Sequence, residues 1–238
     1  MKLVVLSPET YEPREHAVMA ELFAAGLERY HLRKPSWDEQ ALRNFIRVVP
    51  AQWRSRVVVH QHHKLAEELG CGGVHWKDSE DKARPPGVPR SSDGSEVRPF
   101  LCASRSCHTL ESLGLALGIF NSVFFSPIFP SISKVGYVPN ADLGGVSALL
   151  SRRTEHQRTT KVIGLGGITP ENCMQAIELG FDGVAVLGSL WQAISPIKVF
   201  DQPIDRVAAH AGKNFTARSR DAVGIHTWRE QKSLGHAL

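Results

Sequence analysis

Eight short apolar runs, most of them rich in β-branched residues, are spread along the 238-residue chain, and longer helix-like stretches separate most of them. Alternation of this kind is typical of βα units, in which the strands form a parallel sheet. The order of the runs therefore places the fold in the α/β class. The predicted strands span residues 2–7, 28–34, 55–61, 72–76, 99–106, 122–129, 161–167 and 183–189.

Eight strands joined by helices in one chain of this length favour a single closed (β/α)8 barrel. An open doubly wound sheet is the alternative, and it usually has fewer strands. Gly26 is placed to end the first helix, and the Ser36 hydroxyl is placed to cap the second. The predicted helices span residues 14–26, 37–49, 63–70, 108–118 and 143–153.

Two segments depart from this pattern. Residues 77–99, between the fourth and fifth strands, are polar and rich in Pro, Ser and Gly. We expect a long exposed loop there in place of a crossover helix. The tail after Gly212 also lacks an apolar face, which predicts a barrel over residues 1–212 and a C-terminal extension over 213–238. The extension is either flexible or packs on a partner subunit, so a homo-oligomer stays open.

The charge balance favours a small anionic ligand. Lys and Arg total 28 against 24 Asp and Glu, which gives a net charge of +4 and a pI near 9.0. The absence of a basic stripe with interleaved aromatic residues argues against nucleic acid as a partner. No stretch approaches the roughly 20 apolar residues of a membrane span, and the four cysteines form no CxxC pair. The composition predicts a cytoplasmic protein with reduced thiols and no membrane partner.

Glycine-rich turns follow the seventh and eighth predicted strands. The stretch "GLGGITPEN" supplies Gly166 and Gly167, and "LGSLW" supplies Gly188 and Ser189. In a barrel, the loops after these two strands commonly hold a phosphate through backbone N–H groups and a helix N-terminus. Glycine lets the backbone approach an anion closely, and Thr169 is placed to cap the following helix. The pattern predicts a phosphate-binding site; tight turns without a ligand are the alternative.

Several sequence blocks occur in a recognisable order. They are "HLRK" (31–34), "GVHW" (73–76), "SRSCHTLES" (104–112), "FFSPIFPSISK" (124–134), "GLGGITPEN" (164–172) and "DGVAVLGS" (182–189). In order and spacing they resemble the thiamine phosphate synthase and thiazole tautomerase superfamily, whose members are single barrels. The resemblance covers roughly residues 2–195.

The resemblance implies a transfer reaction. The synthase of this superfamily joins an aminopyrimidine methyl diphosphate to a thiazole phosphate and releases diphosphate. Departure of the diphosphate leaves a pyrimidine carbocation, which the thiazole nitrogen captures. Such a reaction needs cations around the leaving group, supplied by Mg²⁺ together with Lys and Arg side chains.

The resemblance also implies several site residues. Arg33 and Lys34 match the basic residues after strand two, although the usual Arg-Glu-Lys spacing is one residue shorter here. Ser106 matches a serine that faces the diphosphate. The stretch "PSISK" matches a Thr-x-Thr-Lys loop, in which the hydroxyls contact the thiazole phosphate and the lysine meets the diphosphate. The matching residues of this loop are Ser131, Ser133 and Lys134.

The metal-binding positions depart from the superfamily's pattern. Strand three usually ends in Asn-Asp-Arg, whose aspartate binds Mg²⁺, but "HQHHK" places Gln61 there with His60 and His62 beside it. Glutamine offers Mg²⁺ only a neutral oxygen in place of a carboxylate. The candidates for the second metal-binding carboxylate are Glu80, which aligns best, Asp78 and Asp81.

The tautomerase pattern is also incomplete. That branch typically places a catalytic histidine two residues before the Phe of "PIF". Here residues 126–129 read "SPIF", with no histidine.

The histidines near strand three have three interpretations. In the first, His60, His62 and His63 form a transition-metal site with His75, since His-x-His at a strand end puts two imidazoles on one face. In the second, they bind diphosphate or act as acid and base near neutral pH. In the third, they are rim residues without a chemical role.

The leading hypothesis is therefore a thiamine-biosynthetic enzyme that acts on small phosphate-bearing substrates. Alkyl transfer ranks ahead of tautomerisation because "SPIFPSISK" has the synthase form, although tautomerisation needs only a base and no metal. Two further alternatives are a protein that holds thiazole phosphate without transferase activity and an unrelated phosphate-binding barrel such as a sugar-phosphate isomerase.

Overall fold

The computed structural model of the chain describes residues 2–78, 102–130 and 142–202. The extension predicted at 213–238 lies outside the described residues, as does the loop predicted at 77–99 apart from its first two residues. Four predicted site residues also lie outside them: Glu80, Ser131, Ser133 and Lys134.

Eight parallel strands form a closed barrel in which neighbours follow the chain order. The strands are β1 (Lys2–Leu6), β2 (Arg29–Leu32), β3 (Val57–Val59), β4 (Gly73–Trp76), β5 (Cys102–Cys107), β6 (Ser122–Phe125), β7 (Lys161–Leu165) and β8 (Gly183–Val186). Val4 of β1 pairs with Ala185 of β8, and this pairing closes the sheet. The predicted (β/α)8 barrel is confirmed, and the open doubly wound sheet is wrong.

Helices lie between most of the strands. They are α1 (Glu15–Ala24), α2 (Glu39–Val48), α3 (Ala51–Arg54), α4 (Lys64–Glu68), α5 (Leu110–Ala116), α6 (Leu143–Ser151), α7 (Glu155–Arg158), α8 (Cys173–Glu178) and α9 (Gly188–Trp191). The five predicted helices correspond to α1, α2, α4, α5 and α6. Within the described ranges, no helix is both long and apolar enough to cross a membrane.

Two predicted helix caps are wrong. Asp38, not Ser36, caps α2, and its carboxylate accepts a hydrogen bond from the Ala41 N–H at 2.7 Å. Thr169 does not cap α8, because that helix begins further along the chain, after Asn172. The Thr169 hydroxyl instead accepts from the Glu171 N–H at 3.2 Å, inside the turn that precedes the helix.

Alternation along the strands separates two apolar clusters. The larger one includes Val5, Val74 and Val184, and it packs the outside of the barrel against the helices. The smaller one lies inside the barrel, since alternate strand residues face opposite sides of the sheet. The inner cluster consists of Val4, Leu6, Phe124, Ile163 and Ala185.

The inner cluster comes from β1, β6, β7 and β8, whereas polar side chains occupy the corresponding positions of β2, β4 and β5. These polar residues are His31, His75, Ser104 and Ser106, and the first three are buried. The barrel interior is therefore apolar on one side and polar on the other. This asymmetry shapes the site described next.

Candidate functional site

A cavity of about 880 Å³ opens at the carboxyl ends of the strands. Part of its lining is apolar and includes Leu6, Phe124 and Leu165, while the rest carries charged, imidazole and hydroxyl groups. Substrates of (β/α)8 enzymes bind at this end of the barrel, because the βα loops meet there.

The glycines after β7 and β8 line this cavity together. Gly166 and Gly167 have φ values of 97° and 66°, in the left-handed region that favours glycine. A β-carbon at Gly167 would lie 2.3 Å from the carbonyl oxygen of Pro130, in the segment that follows β6. The two glycines are thus required by the close approach of that segment. Gly188 lines the same cavity and begins α9.

Ser189 follows the cavity-lining Gly188 and carries an unsatisfied polar group. Its hydroxyl oxygen is buried and has no hydrogen-bond partner among the described residues. The first N–H groups of α9, which begins at Gly188, also lack intrahelical acceptors, as at the start of any helix. A buried hydroxyl without a partner is costly, so an anion bound beside Gly188 would satisfy it.

Arg33 brings positive charge to the cavity lining. Its guanidinium donates to the Glu9 carboxylate, and both residues line the cavity. The Ser7 hydroxyl fixes the backbone at this point, because it accepts from the Arg33 N–H at 2.7 Å and donates to the Arg33 carbonyl at 2.9 Å. Lys77, just after β4, adds a second cationic side chain to the lining.

Lys34 is not among the residues that line the cavity. Its side chain is fully buried, and its ammonium lies 2.5 Å from the Glu15 carboxylate and 2.8 Å from the Thr10 carbonyl. It also lies over the Trp37 ring, 5.0 Å from the centroid. The Tyr30 hydroxyl donates to the other Glu15 oxygen at 2.7 Å. These contacts tie β2 to α1 and leave the ammonium no path to a ligand.

Gln61 and His62 follow β3 and point to different surroundings. The Gln61 amide N–H donates to the Lys34 carbonyl, and the side chain lines the main cavity. His62 has a φ of 52° and lines a smaller depression instead, with its Nδ1 4.0 Å from the Glu39 carboxylate. The structure therefore does not bring His62 to the main cavity.

Asp78 is the carboxylate that follows β4 in the cavity lining. It accepts a hydrogen bond from the His108 N–H at 3.0 Å, and its other oxygen lies 3.5 Å from the Arg105 guanidinium. Mg²⁺ is commonly held by one or two carboxylates together with substrate phosphates. Asp78 and Gln61 both line the cavity and offer oxygen ligands of this kind, whereas Glu80 lies outside the described residues.

Three imidazoles meet at the cavity wall, and two of them, His60 and His75, line the cavity. His31 Nδ1 lies 3.0 Å from His60 Nε2, and the His60 and His75 rings stack with centroids 4.0 Å apart. Hydroxyls hold both ring nitrogens of His75, with Ser104 Oγ at 2.8 Å and Ser106 Oγ at 2.9 Å. The set differs from the one predicted, because His31 takes the place of His62 and His63. The His63 ring instead donates to the His75 carbonyl at 3.0 Å.

Burial makes these imidazoles neutral. It lowers the pKa of His31 to about 3, and it lowers the pKa of His60 and His75 well below the usual histidine range, helped by the neighbouring rings and Arg33. His60 therefore does not carry an imidazolium charge toward a diphosphate near pH 7. Ser106, predicted to face the diphosphate, lines the cavity while it contacts His75.

His108 is a cavity residue that the sequence did not suggest. Its Nδ1 donates to the Ser126 carbonyl at 2.8 Å and lies 3.4 Å from the Ser126 hydroxyl. The imidazole thus lies beside the "SPIF" stretch, although the stretch itself contains no histidine. Glu9 was also missed, because no pattern in the first loop distinguishes it from a surface carboxylate.

The structure thus brings together part of the predicted site. The predicted residues that line the cavity are Arg33, His60, Gln61, His75, Asp78, Ser106, Gly166, Gly167 and Gly188. Ser189 lies next to this lining, and Lys34 and His62 lie away from it.

Comparison with known proteins is consistent with this arrangement. The chain matches the family model of thiamine monophosphate synthase over residues 3–190. It is 27% identical over 173 residues to the thiamine-phosphate synthase of Bacillus licheniformis, and this match covers 72% of each chain. It is 28% identical over 148 residues to that of Nitrosococcus oceani, and this match spans 60% of each chain, less than two thirds of the relative's length.

Two solved structures of thiamine phosphate pyrophosphorylases are also similar to this chain. A thiamine phosphate pyrophosphorylase from Bacteroides thetaiotaomicron is 25% identical, with a TM-score of 0.61 over 88% of this chain and 98% of that one. The enzyme of that name from Pyrococcus furiosus is 19% identical, with a TM-score of 0.67 over 87% and 96%, and shows the shared fold alone. Since the family model matches most of the sequence, the chain belongs to the thiamine monophosphate synthase family.

Proposed function

We propose that the protein is a thiamine phosphate synthase-type transferase, which joins an aminopyrimidine methyl diphosphate to a thiazole phosphate and releases diphosphate. Family membership supports thiamine biosynthesis as the setting. The observation that carries the proposal is the buried, unpartnered Ser189 hydroxyl next to Gly188, which lines a cavity together with Arg33 and Lys77.

The two ends of the cavity suit the two phosphate-bearing substrates. The thiazole phosphate is held by the Ser189 hydroxyl and the first N–H groups of α9, which would satisfy the buried donor. The diphosphate is met by Arg33 and Lys77, with the Ser106 hydroxyl as a further donor. This separation leaves the thiazole nitrogen and the pyrimidine methylene to meet in the middle of the cavity.

The apolar lining suits the reaction that the family resemblance implies. A carbocation formed when diphosphate leaves must be shielded from water until the thiazole nitrogen captures it. Phe124, Leu6 and Leu165 provide a wall that carries no nucleophile. Arg33 and Lys77 stabilise the negative charge that grows on the departing diphosphate.

Mg²⁺ fits this site through Asp78, with Gln61 as a neutral neighbour. When bound, the ion would neutralise charge on the diphosphate. Asp78 is fixed for such a role by the His108 N–H, while the Lys34 carbonyl fixes the Gln61 amide. Because Gln61 replaces the superfamily's strand-three aspartate, Arg33 and Lys77 carry a larger share of the charge.

The direct test is product formation. Purified protein, given both substrates and Mg²⁺, should form thiamine phosphate and diphosphate in equal amounts, as measured by chromatography and a phosphate assay. An Arg33→Met variant should lose most of this activity while it keeps its fold. Wild-type protein that binds both substrates and forms no product would contradict the proposal.

A second candidate, thiazole tautomerisation, is favoured by His108. Its imidazole lies beside Ser126 at the cavity, where it can serve as a base without a metal. A His108→Asn variant that loses tautomerase activity but keeps transferase activity would assign the second reaction to this residue. If the wild-type protein interconverts no thiazole tautomers, the second candidate is wrong.

A further inference from the structure

The His31–His60–His75 cluster has the composition of a metal site that is distinct from the Mg²⁺ position. Each of the three residues offers one ring nitrogen, and these nitrogens lie within 4.8 Å of one another. Within the residues that the structure describes, this is the single group of three or more His, Cys, Asp or Glu side chains close enough to hold an ion.

The strands of the barrel fix this convergence. His31 lies on β2, His60 follows β3 and His75 lies on β4, so three successive neighbours in the sheet each supply one imidazole. His31 and His75 are 1% and 3% exposed, and their rings pack on Phe124 with centroids 4.7 Å and 5.1 Å away. An ion bound between the rings would replace the hydrogen bond between His31 Nδ1 and His60 Nε2, which lie 3.0 Å apart.

The outer contacts also suit a metal site. Ligating histidines usually have their second nitrogen held by a hydrogen bond, which fixes the ring orientation. Ser104 Oγ holds Nδ1 of His75 in this way at 2.8 Å, and an ion at Nε2 would take the place of the Ser106 hydroxyl, which lies 2.9 Å from that nitrogen. His60, His75 and Ser106 line the cavity, so an ion in the cluster would have an open side.

The ligand chemistry selects the kind of ion. Three neutral imidazoles without a carboxylate are a poor site for Mg²⁺, which prefers oxygen ligands. The same set suits Zn²⁺ and related transition metals, and three histidines with one open position is a known zinc arrangement. Arg33 is the nearby cation that opposes a dication, and its pairing with Glu9 offsets this repulsion.

We propose that His31, His60 and His75 bind a divalent transition-metal ion whose open coordination position faces the cavity. The proposal goes beyond the transferase function and does not depend on it. A hydrogen-bonded cluster of neutral histidines that binds no ion is the competing description.

Metal titration of the full chain tests the proposal. Protein stripped with a chelator is titrated with Zn²⁺ by calorimetry and with Co²⁺ by visible absorption, in the presence of excess Mg²⁺. We expect one tightly bound ion per chain, Co²⁺ bands typical of nitrogen coordination, and no displacement by Mg²⁺.

Variants locate the ion. Loss of a residue that only hydrogen-bonds a metal ligand costs about 10–100-fold in metal affinity. Because His31 is proposed as a ligand itself, His31→Asn should weaken Zn²⁺ binding by at least about 100-fold. His60→Asn, at the half-buried edge of the cluster, serves if the His31 variant does not fold. His156→Asn, on the exposed surface of α7, is the matched control and should bind like wild type.

Two results would overturn the proposal. One is wild-type protein that binds neither ion in the titrations. The other is unchanged binding by folded His31→Asn and His60→Asn variants, which would place the metal on other histidines of the chain. Because the readout is metal binding, a protein without transferase activity leaves this test unaffected.

Discussion

The Lys34 ammonium and the Glu15 carboxylate form an ion pair at 2.5 Å, with side chains that are 0% and 1% exposed. Burial raises the pKa of Glu15, although hydrogen bonds from Lys34 and Tyr30 oppose the shift. The carboxylate therefore depends on its partners to remain charged in the interior. The pair is a structural link between the end of β2 and α1.

Removal of the Lys34 charge should destabilise the fold. Lys34→Met leaves the Glu15 carboxylate buried without a cation, and breaking a buried pair in this way costs about 3–5 kcal/mol. Urea unfolding followed by circular dichroism measures the loss. In a Glu15→Gln background, the same lysine substitution should cost much less. A Lys34→Met variant of full stability that has lost only diphosphate affinity would instead give Lys34 the binding role implied by the family resemblance.

Alkaline pH should reduce stability through Cys107. Burial, with a contribution from the Asp78 charge, raises the pKa of this thiol from 9.0 to about 12. Between these values the unfolded chain releases the thiol proton and the folded chain retains it, so the free energy of unfolding falls as pH rises. The slope from this one group is at most about 1.4 kcal/mol per pH unit. Urea unfolding at several pH values in this window should give a shallower decline for Cys107→Ala than for wild type; parallel declines would refute the assignment.

The neutral side chain at position 61 should weaken the coupling between Mg²⁺ and diphosphate. Calorimetric titration of inorganic diphosphate at several Mg²⁺ concentrations should show a shallow dependence in wild type. Gln61→Asp adds a second carboxylate to the cavity that Asp78 also lines and should make the dependence steep, whereas the neutral control Gln61→Asn should leave it shallow. Strict Mg²⁺ dependence in the wild-type protein would show that the alignment of "HQHHK" with the metal motif is incorrect.

The strands could be predicted from sequence because each one is a short apolar run between turn residues. Burial on both faces of a parallel sheet gives this pattern without any knowledge of long-range contacts. The caps were less predictable, since Ser36 and Asp38 are both suitable residues and only the observed start of α2 selects Asp38.

The site residues depended on contacts between distant parts of the chain. Lys34 follows β2 as a substrate-binding lysine would, but Glu15, which neutralises it, lies on a different element. His31 looked like one polar residue in a strand, because the two histidines that approach it follow β3 and lie on β4. The packing of neighbouring βα units, not local sequence, creates both groupings.

The affinity of thiazole phosphate for the Ser189→Ala variant tests the proposed site most directly. In the free protein the Ser189 hydroxyl is buried without a partner, so its removal should leave thermal stability unchanged or slightly raised. In the complex it donates to the phosphate, and a hydrogen bond to a charged group contributes about 1.5–3 kcal/mol, or about tenfold or more in affinity.

Ser151→Ala, on the exposed face of α6, is the matched control. Calorimetry should therefore show a dissociation constant at least about tenfold higher for Ser189→Ala than for wild type and for the control; equal affinities in all three proteins would contradict a phosphate site at the ends of β7 and β8.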